Sequence, residues 1–339
     1  MAQIDKPNTH FTTRTYTASG AGSVSDVSFQ PDFLWFKNRT VVGNHGLMDS
    51  VRGIKKILHS NDTNQEATSP ANNDFETFTS NGFTYGTSSA LDSGSGTPVT
   101  WLWKAGGTAV SNTAGSITSS VSANTTAGFS VVTWSGNNSA ETVGHGLSSA
   151  PSVVILKWRN GADNWYVQHK SLASTDVIRL DATNAKIASD LFQDTYPTSS
   201  VFSIKSGYNL SGRDFVAYCF AEKKGFSKFG SYVGNSSATD GTFVYLGFKP
   251  AFVIIKGATN ASSWLIQDNK RQTYNDGSIP LFKANTTDAE IKIDNFDMLS
   301  NGFKCRTSNN DFNGANTYIY MAFAENPLVG TNNIPATAR

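Results

Sequence analysis

Three apolar runs of one shape recur along the chain: Pro31-Asp32-Phe33-Leu34-Trp35-Phe36-Lys37, Pro151-Ser152-Val153-Val154-Ile155-Leu156-Lys157 and Pro250-Ala251-Phe252-Val253-Ile254-Ile255-Lys256. In each, a proline opens an almost unbroken apolar stretch that a lysine closes six residues later. Proline suits the first residue of a strand, where a missing N–H costs nothing. A short run apolar on both faces predicts a strand buried on both sides, with the lysine marking its exit to solvent. Eight residues beyond the lysines stand His45, Trp165 and Trp264, and twelve beyond stand Asp49, His169 and Asp268, without a gap. The alternating Trp165-Tyr166-Val167 and Trp264-Leu265-Ile266 predict the next strand of a hairpin or meander.

Each repeat also has a matching start and finish. Tyr16, Trp134 and Tyr232 precede the proline by 15, 17 and 18 residues. Ser80-Asn81-Gly82-Phe83 matches Ser300-Asn301-Gly302-Phe303, where the second repeat has Ser199-Ser200-Val201-Phe202. Asn-Gly between strand-like segments signals a hairpin, because both residues tolerate positive φ. Closing strands are expected from Val99, Phe215 and Tyr318. A repeat at fixed spacing is the mark of a tandem architecture. The predicted fold is all-β: three tandem antiparallel β-sandwich (jelly-roll-like) units of about 100 residues, the usual sandwich size. They span 8–107, 128–224 and 226–327, with a Ser/Thr/Gly-rich linker or loose strand at 108–127 and a C-terminal tail at 328–339.

Composition narrows the function. Charged residues are 16% of the 339, against roughly 25% in ordinary soluble domains, while aromatics reach 12% with 22 Phe. Such a chain can bury a core and is not expected to be disordered. The net charge is +1 and no basic stripe appears, so the footprint that nucleic-acid binding needs is missing. No apolar leader or membrane-length run is present, which predicts neither export nor membrane insertion. Cys219 and Cys305 fall at non-corresponding places in their repeats and are expected to be unpaired. A chain built like an extracellular adhesive, without leader or disulfides, fits a protein released by lysis of its producer, as phage proteins are.

The search for chemistry returns little. No nucleophile elbow, phosphate loop, zinc pair or dinucleotide fingerprint occurs, and the five histidines lack metal-ligand spacing. Asp49-x-x-Arg52 and Asp268-x-x-Arg271 stand at equivalent places. They suit a ligand clasp in which Arg donates in a plane and Asp accepts from sugar hydroxyls, or, more commonly, an ion pair bracing a loop. Trp165 and Trp264 could stack on a pyranose, though their apolar neighbours favour packing. Asp294 and Asp297 lack the alternation of a calcium loop and read as turn caps. No cofactor and no metal are expected, and no catalytic residue is assigned.

Certain strings are more specific than composition: PDFLWFKNR, DSVRG, SNGF, AYCFAEKKGFSKFGSYVGN and GFKPAFVIIK. Through them nearly the whole chain resembles an uncharacterised repeat-domain family of virion proteins from marine and cyanobacterial tailed phages, often described as tail fibre or structural protein. The resemblance implies a particle component and carries no known functional residues. The expectation is a non-catalytic virion protein on the particle exterior, tail-associated and of fibre or receptor-binding type. Its partners would be other virion proteins, itself as a homo-oligomer (a trimer if a fibre) and a host-surface glycan. The alternatives are a capsid decoration or cement protein and, from another class, a glycan-active enzyme, which would need paired carboxylates across a cleft.

Overall fold

A computed structural model of the chain describes residues 3–68, 75–87, 96–271, 275, 277, 279–293, 296–331 and 335. The described residues form antiparallel sheets with no α-helix; the one helical element is a 3₁₀ turn at Pro7–Thr9. One strand order recurs three times. An opening strand (Phe11–Thr15, Phe129–Ser135, Ser227–Val233) pairs with a closing strand (Pro98–Trp103, Asp214–Phe220, Thr317–Pro327). The closing strand pairs with a central strand (Phe33–Asn38, Val153–Trp158, Phe248–Gly257). The central strand pairs with a fourth (Gly46–Asp49, Tyr166–His169, Leu265–Asp268). Across a separate core from each of these sheets lies a small one, giving a β-sandwich-like unit.

The apolar runs form the central strands, but proline is the first residue of none: Pro31 and Pro151 precede the strand by two residues and Pro250 lies within it at a break in register. The burial of the runs follows from strand alternation. Leu34 and Phe36, Val154 and Leu156, and Val253 and Ile255 face the core of their own unit. Phe33 and Trp35, Val153 and Ile155, and Phe252 and Ile254 face the other way, into one core shared by all three units. At its centre one aromatic from each closing strand meets the other two: Trp103 and Phe220 at 6.3 Å, Trp103 and Phe323 at 5.6 Å, Phe220 and Phe323 at 5.8 Å between ring centroids. Beside them lies an apolar cavity of about 20 Å³, lined by all three units.

Two expectations are corrected here. The lysines do not exit to solvent: Lys37, Lys157 and Lys256 are fully buried, because they continue the inward-facing series Phe33-Trp35, Val153-Ile155 and Phe252-Ile254. Nor is 108–127 a free linker. Val110–Asn112 and Ser119–Asn124 are strands that extend the sheet of the second unit beside Phe129–Ser135. Low hydropathy concealed them, since only Val121 of the pair is a large buried apolar residue.

The hairpins form where Asn-Gly predicts them, one residue earlier in phase. Thr79 pairs with Gly82 and Leu299 with Gly302, so Ser-Asn makes each turn. The glycines are needed for close approach: a Cβ on Gly82 would collide with the carbonyl oxygen of Val24, and one on Gly302 with that of Val244. Cys219 and Cys305 are free thiols buried in different cores.

Candidate functional site

All six residues singled out from the sequence lie inside the seams between units. Asp49, Arg52, Asp268, Arg271, Trp165 and Trp264 are each at most 8% exposed. In the first unit Asp49 binds the Arg52 side chain and caps the backbone N–H groups of Val51 and Arg52. The Tyr218 hydroxyl of the second unit donates to the same carboxylate at 2.9 Å. Arg52 also donates to Glu66 at 2.9 Å, and Glu66 accepts Arg159 of the second unit at 3.0 and 3.1 Å. The third unit repeats this against the first. Asp268 binds Arg271 and accepts the Trp101 indole N–H at 3.0 Å, while Glu290 accepts Arg271 at 3.1 Å and Arg39 twice at 2.8 Å.

The ligand-clasp reading therefore gives way to the ion pair, which braces its own loop and also joins the unit to its neighbour. Its carboxylates and guanidiniums are fully buried and already partnered. The tryptophans behave likewise: Trp165 Nε1 donates to the His59 carbonyl at 2.8 Å and Trp264 Nε1 to that of Arg179 at 2.7 Å. At the matching position in the first unit, neutral His45 donates from Nε2 to the Lys283 carbonyl at 3.1 Å and accepts from the Trp35 indole. Of the two aspartates read as turn caps, Asp297 binds Arg306 and Asp294 lies outside the described residues.

Three residues that the sequence reading left without a role complete the seams. Lys37 Nζ donates to the carbonyls of Gly43 and Thr287, Lys157 to those of Asp163 and Thr63, and Lys256 to those of Ser262 and Thr183. Each thus ties its own loop to the neighbouring unit: first to third, second to first, third to second. The contacts close in a ring. The signal was present as a lysine at a fixed place in an apolar run, but its partners are backbone groups of another unit, which no residue type reveals.

Burial pushes all three ammonium groups down to about 8. Between pH 8 and the free amine's 10.5 the folded chain then holds fewer protons than the unfolded one. Stability from these sites is lowest below pH 8 and grows as pH rises through that window. The buried thiols oppose this above pH 9, because burial raises them while unfolded thiols ionise there. The clean measurement is the stability difference between wild type and Lys157→Met. It should grow by about 1.5 kcal/mol in favour of wild type from pH 8 to 9.5; a flat difference would contradict the depressed lysine.

The third seam, between the third and second units, lacks the acid–base network. His169 and Leu172 replace the Asp–Arg pair, Lys186 stands where Glu66 and Glu290 stand, and Ala258 where Arg39 and Arg159 stand. By strand register Met321 occupies the place of Trp101 and Tyr218. The exchange is concerted: with no carboxylate to satisfy, no hydroxyl or indole donor is supplied. His169, pushed by burial to about 4, donates from Nε2 to the Tyr320 carbonyl at 3.2 Å.

The accessible surface has two distinct ends. At the proline ends of the strands lie both inter-unit connections and the outer segments of the chain. There Ile4 N–H bonds to the Lys224 carbonyl, Gln3 to that of Val329, and Asp5 to Thr331. At the lysine ends lie three loops, residues 39–44, 159–164 and 258–263. They expose Thr40, Val41, Val42 and Asn44 in the first, Asn160 and Ala162 in the second, and Thr259 and Ala261 in the third. Beside the second loop the Arg213 guanidinium stacks 4.0 Å over the half-buried Trp158 ring. Among the described residues no cluster of three His, Cys, Asp or Glu could hold a metal, and no helix is long and apolar enough to cross a membrane.

Fold and seams together define an all-β protein of β-sandwich-like units whose buried polar chemistry joins the units to one another. The chain belongs to the family of the domain of unknown function DUF7483, whose model matches residues 6–327, a span covering all three units. No curated protein and no solved structure matches it.

Proposed function

We propose that the chain is a non-catalytic structural module of a tailed-phage particle, tail-associated, which presents its lysine-end loops to the host surface. The observation that carries this is the division of polar groups. The Asp–Arg pairs and the tryptophans singled out from the sequence are consumed in the seams, while the exposed loops offer Asn, Thr and Ala with the valines Val41 and Val42, a mixed polar and apolar surface on a rigid scaffold suited to recognition. In this reading the proline end, where Gln3 meets Val329, faces the particle. The homo-oligomer expected from the sequence belongs to the same proposal, as copies set around a tail axis.

Immunogold labelling of intact virions, combined with host-cell binding by the purified chain, tests it. Label at the tail, together with cell binding that is lost when residues 40–44 are replaced by Gly-Ser while the melting temperature is kept, supports the reading. A second reading, a capsid decoration protein, is favoured by the closed three-way pattern of seams, which suits a threefold position on a shell. Label spread over the head would select it. A particle free of label would overturn both.

A further inference from the structure

Among the described residues, the small sheet of the third unit ends on the strand Phe243–Tyr245, paired on one side only, with Gly302–Cys305. Val244 pairs with Phe303 and Cys305 N–H bonds to the Thr242 carbonyl, so the N–H and C=O of Phe243 point away from that partner. The corresponding strand of the second unit is Glu141–Gly144, where Val143 pairs with Phe202 as Val244 does with Phe303. Thr142 therefore stands where Phe243 stands.

In the second unit this edge is closed by the chain itself. Ile117 N–H donates to the Thr142 carbonyl at 3.2 Å, Thr142 N–H donates to Ser116 Oγ at 2.8 Å, and Ile117 bridges Val143 in parallel orientation. The segment 113–118, between the two strands of 108–127, supplies that cover, and no segment is inserted at the corresponding junction before the third unit. There the edge is instead flanked by exposed apolar side chains: Phe243 at 44%, Tyr245 at 52% and Val233 at 64%. The positions equivalent to the two aromatics are Thr142 and Gly144 in the second unit, and Ser23 and Ser25 in the first. One end of the edge is set by Lys228, which donates to the Tyr245 carbonyl at 2.8 Å and lies 5.3 Å over its ring.

We infer that the edge at Phe243 is a docking site for an extended peptide segment of a partner protein, running parallel to Phe243–Tyr245. Its preferred sequence is a small hydroxylic residue followed by an aliphatic one. The hydroxyl takes the Phe243 N–H, the aliphatic residue's N–H goes to the Phe243 carbonyl, and its side chain lies beside Val244. Main-chain hydrogen bonds to an open sheet edge supply affinity, and alternate side chains supply selectivity. Sheet proteins ordinarily protect such an edge; here Lys228 closes the Tyr245 carbonyl, and the groups of Phe243 carry no proline or charge of their own. The inference does not depend on where the chain sits in a particle.

The probe is a fluorescent peptide copying residues 113–119 (TAGSITS), titrated into the full chain. Saturable binding is expected, and the same peptide methylated on the isoleucine amide nitrogen should bind about tenfold more weakly, having lost its donor. Phe243→Pro removes an N–H outside the ladder and should weaken the unmodified peptide similarly while leaving the melting temperature unchanged. If that variant misfolds, the methylated peptide on wild type carries the test alone. Equal binding of both peptides would overturn the inference, as would soluble glycans saturating the Phe243–Tyr245 surface while the peptide does not bind.

Discussion

Replacing Trp103 by alanine should cost about 3–5 kcal/mol and lower the stability of the whole molecule rather than of the first unit alone. Removing a large buried aromatic forfeits its transfer free energy and leaves a cavity that a close-packed interior fills poorly. Trp103 is 2% exposed and packs against Phe11 and Phe33 of its own unit, Phe129 and Phe220 of the second, and Phe252 and Phe323 of the third. Units that share one core are expected to unfold together. Calorimetry should show one transition for wild type and one, displaced to lower temperature, for Trp103→Ala. A thermogram in which only part of the heat moved would mean that the first unit unfolds on its own. By the same logic residues 108–224 expressed alone should not fold, because Val131, Val153, Ile155, Tyr218 and Phe220 would present the shared-core face to water.

Asp268→Ala is expected to cost a further, comparable 3–5 kcal/mol. It leaves the Arg271 guanidinium, fully buried, with Glu290 as its remaining acid and strands the Trp101 indole N–H. Removing one partner of a buried pair is far more damaging than exchanging the whole pair for apolar groups, because the surviving charge stays desolvated. The double variant Asp268→Ala/Arg271→Leu should therefore recover part of the loss. The natural third seam points the same way: there His169, Leu172, Lys186, Ala258 and Met321 do without the network. Introducing His169→Asp alone should be strongly destabilising, whereas His169→Asp with Leu172→Arg, Met321→Tyr, Lys186→Glu and Ala258→Arg should restore stability. Equilibrium denaturation on this series decides it. If His169→Asp alone were neutral, the carboxylates would not need their cross-seam donors.

Much of the fold was legible because it rests on local pattern. Unbroken apolar runs mark the central strands and Ser-Asn-Gly marks the hairpins. The prolines do not open those strands: Pro31 and Pro151 stand two residues before them and Pro250 lies inside one at a break in register. The gapless spacing from lysine to Asp49, His169 and Asp268 fixes the register of the next strand. For 108–127 linker and loose strand stayed open, because the strands there are polar and add to an edge, so neither periodicity nor burial betrays them. For the candidate residues the bland alternatives prevailed, the ion pair for Asp49-Arg52 and Asp268-Arg271 and packing for Trp165 and Trp264; what the sequence did not show was that they join units. Asp49 and Arg52 look the same in one dimension whether they grip a ligand or a neighbouring unit.

What the sequence by itself determined is each unit's sheet, since side-chain alternation and turn chemistry act over a few residues. It also determined that each central strand must bury both faces, because Phe33 and Leu34, or Val153 and Val154, leave neither side polar. Only the tertiary structure decided what covers the second face: the other two units, meeting at Trp103, Phe220 and Phe323. It decided too that Lys37, Lys157 and Lys256 end on carbonyls of the neighbouring unit instead of in water. Backbone carbonyls are the same in every residue, so a partner made of them leaves no trace in the order of side chains.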